Sequence, residues 1–238
     1  MCTVIAAFYP GGVHPLLIGA NRDENPKRPS EEWKVRSLKN RIDTFRSPLD
    51  LKRGGTWIGT NNYFTVALTN YDIHNLKYKV SMSRGQVVMD MLLNNYQIDH
   101  CTKLVLKKYE CRPFNMFVGN GSKLLYMSYD GLLLSKQYCE MGVHIITGEG
   151  YNFTTRCDNI RNILRSKMDL FIPVSIETMR SVLTFHAAGD PEDGCCIHDP
   201  EHKWETVSSS LIDYISEKDC AISYINGKPC KNHQWQSV

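Results

Sequence analysis

From Thr3 the chain runs through apolar and β-forming residues to Tyr9, breaks at Pro10-Gly11-Gly12, and resumes with the apolar run Leu16–Asn21. Two such runs split by Pro and Gly read as a β-hairpin that begins at the extreme N-terminus. A chain that opens this way commits its first residues to a sheet, so a side chain at its very start is held rigidly. The same pattern recurs: Gly54-Gly55-Thr56-Trp57-Ile58-Gly59 and Tyr63–Asn70 form another hairpin, with Asn61-Asn62 in the turn. Further strands are expected at Phe114–Val118, Lys123–Tyr129, Leu132–Leu134 and His144–Thr147, and a last hairpin, Thr206–Ile215 with Cys220–Ile225, is closed by Asn226-Gly227. Helical spacing of Val87, Val88, Met91 and Leu92 predicts a helix from Arg84 to about Asn94 behind the cap Ser83. Helices are also expected at Asp158–Lys167 and Ser175–Phe185, while the polar stretch Pro26–Ser47 reads as loop. Strands that pair through hairpins, with helices between them, give an α+β class with mainly antiparallel sheets.

The 238 residues fit one domain spanning 1–238. A balance of 28 basic against 25 acidic side chains, with no basic run, argues against a nucleic-acid partner. Apolar stretches such as Gly85–Leu93 are too short to span a bilayer, and the N-terminus lacks a charged segment followed by a long apolar one. The nine cysteines are odd in number and irregularly spaced, which favours reduced, buried thiols and a cytoplasmic setting. No Cys-x-x-Cys pair occurs, so a tetrahedral zinc framework has little support, and no cofactor or metal is implied. Cys195, Cys196, His198 and His202 form a local cluster, read as a loop with chance neighbours.

Cys2 carries the first chemical signal. A small residue after Met1 is the usual condition for removing the initiator methionine, and removal leaves one residue holding both a thiol and a free α-amine. That amine, with a pKa of about 7.7–8.0, can act as base for its own side chain, so no histidine partner is required. Ala20-Asn21-Arg22-Asp23-Glu24 ends the neighbouring strand. By alternation Asn21 and Asp23 share one face and Arg22 takes the other, so Asp23 is placed to hold the amine while Arg22 points away. An ordinary second residue beside a solvated hairpin end is the plain alternative.

These residues, together with Arg28-Pro29, Gly54–Gly59 and Ala67-Leu68-Thr69-Asn70-Tyr71, resemble the NRDE-box family, which includes the transport-and-Golgi-organisation type proteins. The C-terminal part, from Cys196-Ile197-His198 through Thr206–Ser210 to Gly227-Lys228-Pro229-Cys230, resembles acyl-CoA:6-aminopenicillanate acyltransferase-like cysteine hydrolases. Both groups lie in the N-terminal-nucleophile (Ntn) hydrolase superfamily, as do penicillin V acylases.

The resemblance implies a four-layer αββα fold, with two stacked sheets between helices. It implies Cys2 as nucleophile on a linear amide, Asp23 in contact with it, Asn70 as oxyanion donor and Arg156 as a nearby cation. Arg22, Tyr71 (through its backbone N–H) and Asn152 would meet the substrate, a small-molecule amide or acyl compound, and a homo-oligomer is left open. Asn70 as a strand-end residue and Arg156 as a surface charge are the plain alternatives. Two departures stand out. Gly19 is followed directly by Ala20, without the arginine that acylases carry nearby, and Gly148 stands where relatives have an asparagine. The rival reading is a non-catalytic protein that binds or moves acyl-CoA, lipid or haem on the same scaffold. Substrate choice is expected in the loops at 25–53 and 72–83.

Overall fold

The structure, a computed structural model, describes residues 2–37, 44–72, 82–93, 98–99, 111–152, 154–167, 173–189, 193–199, 201, 203–217 and 219–238. Its strands are β1 (Thr3–Phe8), β2 (Leu16–Glu24), β3 (Ser30–Ser37), β4 (Thr44–Asp50), β5 (Ile58–Thr60), β6 (Thr65–Asn70), β7 (Phe114–Gly119), β8 (Leu124–Tyr129), β9 (Leu134–Tyr138), β10 (Gly142–Thr147), β11 (Gly150–Tyr151), β12 (His198–Asp199), β13 (Trp204–Ser216), β14 (Asp219–Asn226) and β15 (Gln236–Ser237). Its helices are α1 (Arg84–Leu93), α2 (Thr155–Lys167) and α3 (Ile176–Leu183).

One sheet runs β11-β10-β1-β2-β13-β14-β15, with β12 paired to β13; the other runs β3 to β9 in chain order. Every pairing is antiparallel. The N-terminal hairpin lies in the middle of the first sheet, flanked by β10 and β13. Even-numbered β1 and β2 residues (Val4, Ala6, Phe8, Leu16, Ile18, Ala20) meet Ile58, Ala67 and Phe117 of the second sheet between the layers. Odd-numbered ones (Ile5, Ala7, Leu17) meet Ile160, Leu164, Met179 and Val182 of α2 and α3. On the far side of the second sheet, Val87, Val88, Met91 and Leu92 of α1 cover Val66, Leu68 and Met116. Three apolar layers between two sheets and two helical faces make the four-layer αββα stack that the resemblance implied. Among the described residues no helix is long and apolar enough to cross a membrane.

Two close approaches set how near the helices come. A Cβ on Gly19 would lie 2.8 Å from Met179 Sδ, and one on Gly55 would lie 2.6 Å from the carbonyl carbon of Gly85. At Gly55 backbone meets backbone, and Thr56 N–H donates to Gly85 O at 3.2 Å. The start of α1 is thereby seated against the β4–β5 connection.

Two expectations are corrected here. Pro26–Ser47 contains β3 and the start of β4, not loop alone. β3 is an edge strand on which only Trp33 is buried, so it lacks the apolar alternation that marks a strand. The strand expected at Leu132–Leu134 begins at Leu134, because exposed Leu132 and Leu133 sit in a turn whose N–H groups bond the Asp130 carboxylate. The helix expected to reach Asn94 is described to Leu93; Asn94 lies outside the described residues.

Along β13 the register against β2 shifts between Thr206 and Ser208. Asn21 pairs with Ser209 and Arg22 with Ser208, but Asp23 pairs with Thr206. Val207 is therefore the extra residue of a β-bulge, and its carbonyl accepts Gly227 N–H at 2.9 Å.

Candidate active site

The open end of the inter-sheet layer is a cleft of about 890 Å³. Cys2, half-buried, lies on its wall with Arg22, Asp23, Trp57, Leu68, Asn70 and Tyr71, and with Ser83 to Gly85 at the start of α1. The four residues from Asn21 to Glu24 divide by alternation. Asn21 Nδ2 donates to Leu183 O and Cys195 O, both at 2.9 Å, and its Oδ1 accepts Ser209 Oγ–H at 2.6 Å. Asn21 thus fastens the end of α3 and the segment at Cys195 to the sheet. Asp23 Oδ1 accepts Thr206 Oγ–H at 2.6 Å, and Oδ2 lies 3.6 Å from Arg156 Nη2. Arg156 is fully buried at the first turn of α2 and donates to Thr3 Oγ1 at 3.0 Å.

Arg22 and Glu24 lie on the cleft side. The Arg22 guanidinium stacks 4.4 Å above the Trp57 ring and donates to Ser30 Oγ at 3.2 Å. Arg28 joins the loop to two carboxylates: it meets Glu24 at 3.0 Å and grips Asp50 through Nε at 3.2 Å and Nη2 at 2.5 Å. A bidentate pair of this kind fixes direction as well as charge. Arg84 Nη1 donates to Pro113 O at 3.0 Å. Arg53 and Arg112 complete five arginines on the wall, against Asp23, Glu24, Asp50 and Asp72.

Burial pushes the Cys2 thiol up from its ordinary value and the Asp23 charge adds to it, while the N-terminal charge, the Asp23 backbone N–H and, least, the Arg22 guanidinium pull the other way. The resting thiol is therefore protonated at neutral pH, and a base is needed to make it a nucleophile. Burial also raises Asp23, opposed by Arg156 and by the Thr206 hydrogen bond. Burial lowers Arg22, a shift opposed by the Cys2 thiol and by Glu24. Asn70, at the end of β6, is held by the β6–β7 pairing and by Thr69, whose Oγ–H donates to Thr147 O at 3.1 Å. Among the described residues the Asn70 side-chain amide has no hydrogen-bond partner, so its N–H groups are open to a ligand in the cleft.

Residues 1–212 match the family described as transport and Golgi organisation 2. The chain belongs to the transport and Golgi organisation 2 family. Among solved structures it is similar to a Caenorhabditis elegans N-acylethanolamine-hydrolyzing acid amidase ortholog, with a TM-score of 0.65 at 13% identity over 89% of this chain and 92% of that one. It is also similar to penicillin V acylase from Agrobacterium tumefaciens, with a TM-score of 0.55 at 10% identity over 95% of this chain and 83% of that one. At such identities the likeness shows the fold, which is that of the Ntn hydrolases. No curated protein matches the chain.

In this member of the transport and Golgi organisation 2 family, Cys2, Asp23, Asn70, Arg22 and Tyr71 line one cleft. Four expectations change. Arg22 does not point away from Cys2: the strand end carries both onto the cleft, and it is Arg22 rather than Arg156 whose charge acts on the thiol. Arg156 reaches Thr3 and Asp23 from the helix layer and does not line the cleft. The Tyr71 N–H is taken by Pro113 O at 3.1 Å, so it is not open to an oxyanion. Asn152 sits at φ 60° after β11 and uses its side-chain oxygen to accept Ile145 N–H at 2.8 Å, which keeps it out of the cleft wall. Gly148 O accepts Asp72 N–H at 2.8 Å, so the residue that replaces the expected asparagine ties the end of β6 by backbone. Sequence reasoning missed Arg28, Asp50, Trp57 and Arg84 as cleft residues, although Arg28 and Trp57 lie inside quoted motifs. The signal for Arg84 was Gly85 beside it, needed for the contact with Gly55.

Proposed function

We propose that the chain is a cysteine hydrolase or acyltransferase of the N-terminal-nucleophile type, acting on a linear amide. One observation carries the reading: the second residue of the chain, a cysteine, lines a cleft shared with Asp23 and Asn70, whose side-chain amide has no hydrogen-bond partner among the described residues. Removal of Met1 would make the Cys2 nitrogen a free amine beside its own sulfur. The amine takes the thiol proton, and the sulfur attacks the amide carbonyl. The negative charge that develops on oxygen is met by the Asn70 N–H, a donor worth about 2.7–4 kcal/mol where such groups have been removed. The protonated amine hands its proton to the leaving nitrogen, the C–N bond breaks, and a thioester remains on Cys2. Water, activated by the same amine, releases the acid and restores the thiol.

Each group has a stated task. Asp23 steadies the amine, and Arg156 with Thr206 holds Asp23 from behind. Arg22 favours thiolate at Cys2 and walls the cleft with Trp57. Tyr71 and Arg84 face the substrate. The substrate is a small-molecule amide, and the free thiols among the described residues fit a cytoplasmic setting.

The test uses the full chain with two amide probes, an N-acylethanolamine and penicillin V. Intact mass should show Met1 absent and an acyl adduct on Cys2 that Cys2→Ala abolishes. A retained Met1, or no adduct and no product above the Cys2→Ala background, ends the reading. The five arginines on the wall favour a second reading, binding of an anionic acyl compound such as an acyl-CoA without turnover. Saturable acyl-CoA binding that survives Cys2→Ala, with no adduct in the unaltered chain, would establish it.

A further inference from the structure

Away from the cleft, three chain segments bring thiols and imidazoles together. Cys196 and His198 flank Ile197 at the start of β12, Cys230 lies in the turn after β14, and His186 follows α3. His198 Nε2 is 3.0 Å from Cys230 Sγ and 3.6 Å from Cys196 Sγ. The rings of His186 and His198 meet edge-on with centroids 4.6 Å apart. One donor atom each from His186, His198 and Cys230 lies within 4.8 Å of the others.

We propose that His186, Cys196, His198 and Cys230 form a tetrahedral site for a thiophilic divalent cation of the zinc class. Two thiolates and two imidazoles are a donor set that suits such an ion. Ligand bonds of about 2.0–2.1 Å to nitrogen and 2.3 Å to sulfur place neighbouring N and S atoms about 3.6 Å apart in a tetrahedron. The two His198–sulfur spacings, 3.0 and 3.6 Å, lie close to that value, whereas buried Cys196 stands outside the group of three and its side chain must turn to complete the set. The outer shell is also in place. His186 Nδ1 meets Cys196 O at 2.9 Å; donating there leaves Nε2 with the lone pair. A bound cation would drive both protons off the sulfurs.

Such a site would join the turn at Cys230 to the segment after α3, and it borders the support of Asp23. Ile197, between two ligands, donates its N–H to Thr206 Oγ1 at 2.8 Å and accepts Thr206 N–H at 2.9 Å. Thr206 in turn holds Asp23. Sequence reading stopped at Cys195, Cys196, His198 and His202. The structure turns Cys195 toward Asn21, at 3.6 Å from Nδ2, and His202 lies outside the described residues. The missing partners come from 10 residues upstream of Cys196 and 32 downstream of His198, a separation no local motif reveals.

The experiment reads metal, not turnover, and so stands apart from the fate of the proposed reaction. The full chain, purified without chelator, should carry one zinc per molecule by atomic emission. After removal of zinc, Co(II) should produce the visible bands of a tetrahedral ion and a thiolate charge-transfer band in the near ultraviolet. His186→Ala, at an exposed position that leaves the fold intact, and Cys230→Ser should each weaken Co(II) binding on the order of 100-fold or more, beyond the roughly 10–100-fold cost of losing an outer-shell partner. Cys220→Ser, on β14 outside the cluster, should bind as the unaltered chain does. Co(II) held no tighter by the unaltered chain than by His186→Ala and Cys230→Ser overturns the proposal. So does a Cys196–Cys230 disulfide that accounts for both thiols in metal-free protein.

Discussion

The two sides of the last turn of β2 show different kinds of construction. On the helix side, Asn21 and Asp23 are nearly inaccessible and bonded to groups far along the chain: Leu183, Cys195, Ser209, Thr206 and Arg156. On the cleft side, Arg22 and Glu24 bond mostly to nearby residues, Arg28 and Ser30; Arg22 is itself buried, and only Glu24 keeps part of its surface exposed. Asn21 joins layers, Arg22 and Glu24 equip a cavity, and Asp23 does both, held from the helix side while it lines the cleft. Four consecutive residues serve both ends because a strand sends alternate side chains to opposite faces.

If that division is right, substitutions should sort by side, and stability and activity should respond separately. The largest effect belongs to Asp23→Asn, which leaves the Arg156 charge buried without its carboxylate. Urea unfolding should show a loss of about 3–5 kcal/mol. Next comes Asn21→Ala, which strands two buried carbonyls and one hydroxyl; a loss of about 3 kcal/mol is expected in the same assay. A cleft-side contrast is Asn70→Ala. It should leave the unfolding midpoint unchanged and slow acyl transfer to Cys2 by about 10²–10³-fold, read from adduct formation over time. A stability loss for Asn70→Ala as large as that for Asn21→Ala would break the comparison.

The smallest effect tests the rim. Burial pushes Asp50 up, but the Arg28 guanidinium and the Lys52 N–H outweigh it and hold the carboxyl below its usual value. The sign follows: a depressed acid contributes stability above its unfolded pKa of about 3.9, and the contribution fades as pH falls through the folded value. Asp50→Asn should therefore flatten the acid limb of the stability curve below about pH 4. The change should be under about 1 kcal/mol, because the pair is partly solvated.

The apolar skeleton could be read from the chain because burial leaves a periodic trace. Leu16, Ile18 and Ala20 alternate with Leu17 and Gly19, and α1 carries its buried stripe at helical spacing. The strands that escaped reading are those whose neighbours, not their own side chains, define them. β3 is held by backbone pairing to β4 and buries Trp33 alone, whose Nε1–H reaches Ser210 Oγ at 3.0 Å across 177 residues. The site divides the same way. Cys2, Asp23 and Asn70 were legible through motif order, whereas the backbone use of Tyr71 N–H and the turn role of Asn152 depend on hydrogen bonds that no residue type announces.

The extra residue at Val207 means that β13 is written in two phases. From Ser208 onward, odd positions face the helices, as Ser209 and Leu211 do; before it, the even position Thr206 takes that side and meets Asp23. A one-residue deletion there would restore a single phase, turn only the first few residues of the strand over, and leave the long apolar half in register. The support of the carboxylate and the packing of the sheet are thus separable by length alone, so this strand end can be rewritten without renegotiating the core.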